Sequence, residues 1–148
     1  KGPDVLLGEY EQRLDDKNRM TIPARLREHF ADGVFLTRSL DQCVEVYDRD
    51  GWDAYVSRNA ERLDTYTREG RRMERYLFGA ASRLEMDRAG RIALPSALVK
   101  HAELDRDVIV AGVRDRLEIW DRDAWHRENA TFEGSAGDVA ERLAHEAR

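Results

Sequence analysis

Asp15-Asp16-Lys17-Asn18-Arg19-Met20-Thr21-Ile22-Pro23 decides the fold, because it returns as Asp87-Arg88-Ala89-Gly90-Arg91-Ile92-Ala93-Leu94-Pro95. Asp15 maps to Asp87, Arg19 to Arg91 and Pro23 to Pro95, all at an offset of 72. The shared pattern is an aspartate, three residues, an arginine, then alternating apolar positions and a proline. Aspartate opens a type I turn, where its carboxylate can accept from backbone N–H groups further on. The fourth turn position wants a left-handed residue. Gly90 supplies it freely, and Asn18 tolerates it better than most. Arg19 and Arg91 follow directly, at a hairpin tip. Met20 and Ile22, like Ile92 and Leu94, alternate as a half-buried strand does. Pro23 and Pro95 end the strand and suit the start of a short helix.

Working outward, the two surroundings agree. Tyr10, Gln12 and Leu14 alternate before the first turn, and Ser82, Leu84 and Met86 before the second. Pro23 opens a helical turn through Leu26 and Phe30, which Gly33 stops, and Pro95 opens one through Leu98 and Ala102. Strands Val34–Thr37 and Val44–Tyr47 match strands Val108–Ala111 and Leu117–Trp120. Asp48-Arg49-Asp50-Gly51-Trp52 matches Asp121-Arg122-Asp123-Ala124-Trp125 at an offset of 73. An internal duplication follows, giving a pseudo-symmetric domain rather than a solenoid. Between the copies, Asp50 is expected to cap a helix carrying Trp52, Val56 and Leu63, and Gly70 to mark a break. A second helix, Arg71 to Ala80, carries Met73, Tyr76, Leu77 and Ala80 on one stripe. Mixed charges over residues 58–75 suggest a salt-bridged face or a subunit contact. After Phe132, Gly134–Gly137 reads as a linker and Asp138–Arg148 as an amphipathic helix. The resulting division is a first repeat at 5–54, connecting helices at 55–80, a second repeat at 81–127 and a tail at 128–148.

Each repeat is too short to bury much core alone, so the two are expected to share one. The composition, 41% hydrophobic and 37% charged, is that of a globular protein with long charged helical faces. One cysteine, Cys43, rules out an internal disulfide and a cysteine cage for zinc, and it is expected to be a buried strand residue. No apolar run reaches membrane-span length, and the first residues show no signal-peptide core, so a soluble cytoplasmic protein is expected. The net charge of −5 weighs mildly against nucleic acid. Its distribution tempers that: residues 32–57 and 115–148 each carry −4, while 58–75 and 76–100 each carry +2. A local basic surface remains open.

The segments Leu7-Gly8-Glu9-Tyr10, Leu14 to Arg27 and Met86 to Pro95 resemble the MraZ family over about residues 5–130. The resemblance implies an α+β fold: a pseudo-two-fold, swapped-hairpin β-barrel of two AbrB-like halves, flanked by short helices. It implies a bacterial transcriptional regulator that binds double-stranded DNA at direct repeats in the promoter of the division and cell-wall gene cluster. Repression, association with the nucleoid and assembly as a homo-oligomeric ring are implied with it. In the family the repeated turn faces DNA, so Asp15 and Arg19, and Asp87 and Arg91, inherit that role. Asn18 departs from the glycine the family usually carries there.

The chemistry suits that reading. A guanidinium matches guanine O6/N7, or a phosphate, with parallel donors. Asp15 and Asp87 would repel phosphate, so their expected work is to brace the turn and hold the arginine. The plainer alternative is that each Asp–Arg pair only closes its own turn. Lys17 and Arg88 flank the tips within reach of phosphates. For Arg13, Arg25, Arg27 and Arg83, solvated surface charge is as good a reading as contact. Catalysis has little support: the four histidines lack ligand spacing, and no nucleophile elbow, phosphate loop or dinucleotide fingerprint is present. No cofactor, metal or small-molecule substrate is therefore expected. The rival reading from another class is a ring-forming scaffold whose turns bind protein.

Overall fold

The computed structural model describes residues 5–147; the expectations placed on Lys1–Asp4 and Arg148 lie outside them. The first half runs β1 (Leu6–Arg13), β2 (Arg19–Thr21), a short 3-10 helix (Ala24–Phe30), β3 (Val34–Arg38), β4 (Val44–Tyr47), α1 (Arg49–Arg62) and α2 (Arg68–Phe78). The second half repeats it: β5 (Ser82–Leu84), β6 (Arg91–Ala93), α3 (Ser96–His101), β7 (Asp107–Arg114), β8 (Leu117–Asp121), α4 (Arg122–Glu133) and α5 (Ala136–Glu146).

The halves interlock by exchanging strands. A six-stranded sheet has the order β1-β7-β8-β4-β3-β5, antiparallel throughout. The first strand of each half thus pairs with the third strand of the other. Exchanging the halves reverses this order onto itself, so a pseudo-dyad passes between β4 and β8. It crosses the sheet where Glu45 faces Glu118, two residues that are each other's counterparts in the repeat. Arg116 offsets that pairing of acids: its Nη2 lies 2.9 Å from Glu118 and its Nε 3.8 Å from Glu45.

The closed barrel expected from the resemblance is not formed among the described residues. The sheet is open, with β1 and β5 as its edges, and β2 and β6 pair separately as a two-stranded ribbon. Pro23 and Pro95 explain this. Each follows closely on a ribbon strand and has no N–H to continue a ladder. Instead the ribbon lies over one face of the sheet. Met20 and Ile92 drop from it into the main core, among Leu6, Leu36, Val46, Val110, Leu117, Ile119, Phe30 and Leu98.

The opposite sheet face carries α1, α2 and α4. Phe35, Tyr47, Trp52, Tyr55 and Leu77 form a second, aromatic core under α1 and α2. Trp52 stacks on both Phe35 and Tyr55. Thr37 ties this core to α2 by donating its hydroxyl to the Leu77 carbonyl. In the second half the position matching Tyr55 is Glu128, at the same offset that relates Trp52 to Trp125. The nest that receives α2 is thereby lost, and α5 has no buried residue.

Several expected boundaries shift. Asp48, not Asp50, caps α1, its Oδ1 accepting from the Gly51 N–H at 2.7 Å. The break falls at residues 63–67 rather than at Gly70, because Thr67 caps α2 by accepting from the Gly70 N–H. The buried face of α1 is Tyr55, and Val56 is exposed. The divisions at 54/55 and 127/128 fall inside α1 and α4, so each half carries its own two helices. The expected linker shrinks to Gly134–Ser135, and Gly137 lies within α5. The salt-bridged face expected over residues 58–75 is not present among the described residues. Arg68, Arg71, Arg72 and Arg75 instead form an exposed stripe at i, i+3, i+4 and i+7 of α2, facing away from Leu77.

Candidate nucleic-acid interface

The turns form as their sequence dictates. In the first, the Asp15 Oδ1 accepts from the N–H groups of Lys17 at 2.9 Å and Arg19 at 2.8 Å. Asn18 takes the left-handed conformation at φ 56°. In the second, the Asp87 Oδ1 accepts from Ala89 at 2.9 Å and Arg91 at 2.8 Å, and Gly90 sits at φ 80°. Backbone bonds close both loops, from Asn18 to Asp15 at 3.0 Å and from Gly90 to Asp87 at 3.0 Å.

The second carboxylate oxygen holds the arginine. Arg19 Nε donates to Asp15 Oδ2 at 2.7 Å, and Arg91 Nε donates to Asp87 Oδ2 at 2.8 Å. Both pairs are about a third exposed or more, with side-chain exposures of 33% for Arg19 and 39% for Arg91. Among the described residues the terminal Nη groups of these arginines have no partner. Each turn therefore fixes one edge of a guanidinium and leaves the outer edge free. The Arg19 N–H, helped by its guanidinium and the Lys17 N–H, holds the Asp15 carboxyl down at about 2, against some desolvation. The Arg91 N–H, with its guanidinium and the Ala89 N–H, likewise keeps Asp87 below the ordinary carboxylate value. Both carboxylates are charged near neutral pH, as the clamp requires.

The ribbon joins the two turns into one surface. Arg19 pairs with Ala93, Met20 with Ile92 and Thr21 with Arg91. Alternation sends Met20 and Ile92 inward and leaves Arg19, Thr21, Arg91 and Ala93 on the outer face. The pseudo-dyad passes through the Met20–Ile92 pair, so the two arginines are related across it. Each tip is also tied to the opposite half. The Gly90 carbonyl accepts from the Ile22 N–H at 2.8 Å, and the Asn18 carbonyl accepts from the Leu94 N–H at 2.9 Å.

The flanking basic residues divide into two groups. Lys17 and Arg88 are exposed at the tips, at non-equivalent positions: Lys17 matches Ala89, and Arg88 matches Asp16. Arg13 and Arg83 are held by the body. Arg13 lies 3.3 Å from Asp107, and Arg83 lies 3.4 Å from Glu85 and over the Phe35 ring. Arg25 is exposed, whereas Arg27 is half-buried and donates its Nε to the Ile22 carbonyl at 2.8 Å. Its end group lies against Gly90 of the second turn, a contact not legible in the sequence because the two residues lie in different halves.

A preorganised ribbon with two outward guanidinium groups can offer parallel donors to an anion or a base edge at little ordering cost. Among the described residues no group of three or more His, Cys, Asp or Glu side chains is placed to hold a metal ion. No helix among them is long and apolar enough to cross a membrane.

Comparison with known proteins agrees with the duplicated architecture. A family model described as "MraZ protein, putative antitoxin-like" matches residues 5–75 and again 77–146. The likeness thus continues through α5, past the limit near Phe132 drawn from sequence. The "Transcriptional regulator MraZ" of Desulforamulus reducens is 37% identical over 139 residues, covering 94% of this chain and 97% of that protein. Its namesake from Alkaliphilus metalliredigens is also 37% identical, covering 94% and 96%. A third, from Roseiflexus castenholzii, is 36% identical over 140 residues, covering 95% and 97%. Two family matches in tandem, one for each structural half, establish that this chain belongs to the MraZ family.

Proposed function

We propose that this chain is a sequence-specific DNA-binding transcriptional regulator, acting without cofactor or catalysis in the cytoplasm, on the nucleoid. Its sites are direct repeats in the promoter of the division and cell-wall gene cluster, where it represses. Asp15, Arg19, Asp87 and Arg91, flanked by Lys17 and Arg88, are its DNA-facing residues. One observation carries this reading: the ribbon presents Arg19 and Arg91 on one outer face, each clamped through Nε and open along its outer edge. A two-stranded ribbon fits the major groove, and an arginine with free terminal nitrogens can read guanine there. The relatives named as transcriptional regulators support the same conclusion.

The strand exchange between halves supports the swapped-hairpin, AbrB-like description of each half. The assembly we propose is a ring of copies. The exposed arginine stripe on α2, which forms no ion pair among the described residues, and the uncovered apolar side of α5, with Leu143 exposed, supply surfaces for contacts between copies. One protomer offers few basic groups, so several subunits on several repeats raise affinity through effective concentration.

The test is the salt dependence of binding to a duplex from upstream of the chain's own gene. Neutralising Z phosphates gives a log–log slope of about −0.9Z. A negative slope, with tighter binding than to random duplex of equal length, supports the reading. The absence of binding to either duplex overturns it in favour of a protein scaffold.

A further inference from the structure

The two tips are built alike but are not equally furnished. Arg27, from the first half, crosses to the second turn. Its Nε donates to the Ile22 carbonyl at 2.8 Å, and its end group lies against Gly90. A Cβ at position 90 would fall 2.7 Å from the Arg27 Cζ. This close approach, together with the positive φ, gives position 90 a glycine where position 18 accepts asparagine. The residue matching Arg27 in the second half is Val99, which packs against the main core. The second half reaches the first tip differently: the Arg106 carbonyl accepts from the Leu14 N–H at 2.8 Å, next to Asp15.

The charge balance differs accordingly. Around the first turn stand Lys17 and Arg19 against Asp15 and Asp16, with Arg106 beside Leu14. Around the second stand Arg27, Arg88 and Arg91 against Asp87 alone, and the Asp87 side chain is already bound to Arg91. Among the described residues neither Arg27 nor Arg88 has a carboxylate within ion-pair distance. Arg27 and Arg88 thus carry charge that no carboxylate at this tip offsets, and an anion brought there is attracted by both.

We infer that Arg27, lying against Gly90, completes the second tip as a phosphate contact on DNA. The inference rests on the DNA-binding reading above. Its ligand is the phosphodiester backbone, which Arg27 meets without regard to base sequence.

The experiment measures dissociation constants of wild type and Arg27→Gln for the promoter duplex and for random duplex, from 0.05 to 0.3 M salt. Arg27→Met, which keeps an unbranched apolar stem against Gly90, takes its place if the glutamine variant misfolds. Loss of one phosphate contact lowers the slope by about 0.9 and weakens binding roughly five-fold at 0.15 M salt, on both duplexes. Arg27→Lys, which keeps the charge, retains most of the slope. If wild type binds and the neutral variant has the same slope and affinity, Arg27 only packs the turn and the inference is overturned. If wild type binds neither duplex, the DNA-binding reading fails first and takes this inference with it.

Discussion

Asp15 grips Arg19 by both its backbone and its side chain, through the N–H at 2.8 Å and Nε at 2.7 Å. One carboxylate thereby sets the turn and the direction of the guanidinium. Asp15→Asn keeps an acceptor for the backbone and loses the charged clamp on Nε. The expected outcome is a folded protein whose DNA affinity falls roughly 2- to 12-fold, the cost of immobilising one free side chain on binding. Circular dichroism and fluorescence anisotropy on the same sample check both halves of this prediction.

The same clamp predicts an acid limb in stability. Asp15 has its carboxyl lowered from 3.8 to about 2, and Asp87 is lowered in the same sense. Their stabilisation is fully present above the unfolded value and is lost as pH falls through the folded one. Denaturant midpoints between pH 4 and pH 2 should fall more steeply in wild type than in an Asp15→Asn, Asp87→Asn double variant. Glu45 acts oppositely. Burial, against the hydrogen bond from Tyr47 and the charge of Arg116, raises its carboxyl above 4.5. Its contribution is present below 4.5 and is lost as pH rises through the folded value. Glu45→Gln should flatten that limb and raise the melting temperature at pH 7.

Gly90 and Asn18 occupy equivalent turn positions but should respond differently to substitution. Asn18→Gly removes a strained side chain and should be neutral or slightly stabilising. Gly90→Ala adds positive-φ strain and a collision with Arg27, costing about 1–3 kcal/mol. In an Arg27→Ala background the collision is gone, and the cost should drop to about 1 kcal/mol. Chemical denaturation of the four members of the cycle measures this coupling.

Assembly should depend on α5, whose apolar side includes the exposed Leu143. Leu143→Arg is expected to shift the mass distribution in native mass spectrometry toward smaller species. The advantage of multi-repeat over single-repeat DNA, about 10²–10⁴ for linked sites, should shrink with it. An unchanged mass distribution would move the contact elsewhere.

The turns were legible because their chemistry is local: an aspartate acceptor, a left-handed fourth residue and a closing proline, twice over. The strands β3, β4, β7 and β8 were legible from alternation and from short apolar runs. Pairing was not. β1 reaches β7 and β5 reaches β3 only through the interlock of the halves, and no short-range pattern encodes a partner so distant in sequence. Asp48 and Asp50 are chemically equal caps two residues apart, so only geometry separates them. The fate of α5 turns on Glu128 standing where the first half has Tyr55. Its own amphipathic pattern predicted a helix and was silent on docking. Arg27 was read as surface charge or contact alike, and its place at the second turn was not legible, since its neighbour Gly90 belongs to the other repeat.

The most direct test of the paired tips is fluorescence anisotropy of the promoter duplex with Arg19→Ala and Arg91→Ala, each compared with wild type. Each loss of a base contact should cost about 1–3 kcal/mol of binding and relax discrimination at the contacted position, with circular dichroism unchanged. Wild-type affinity in both folded variants would contradict the account.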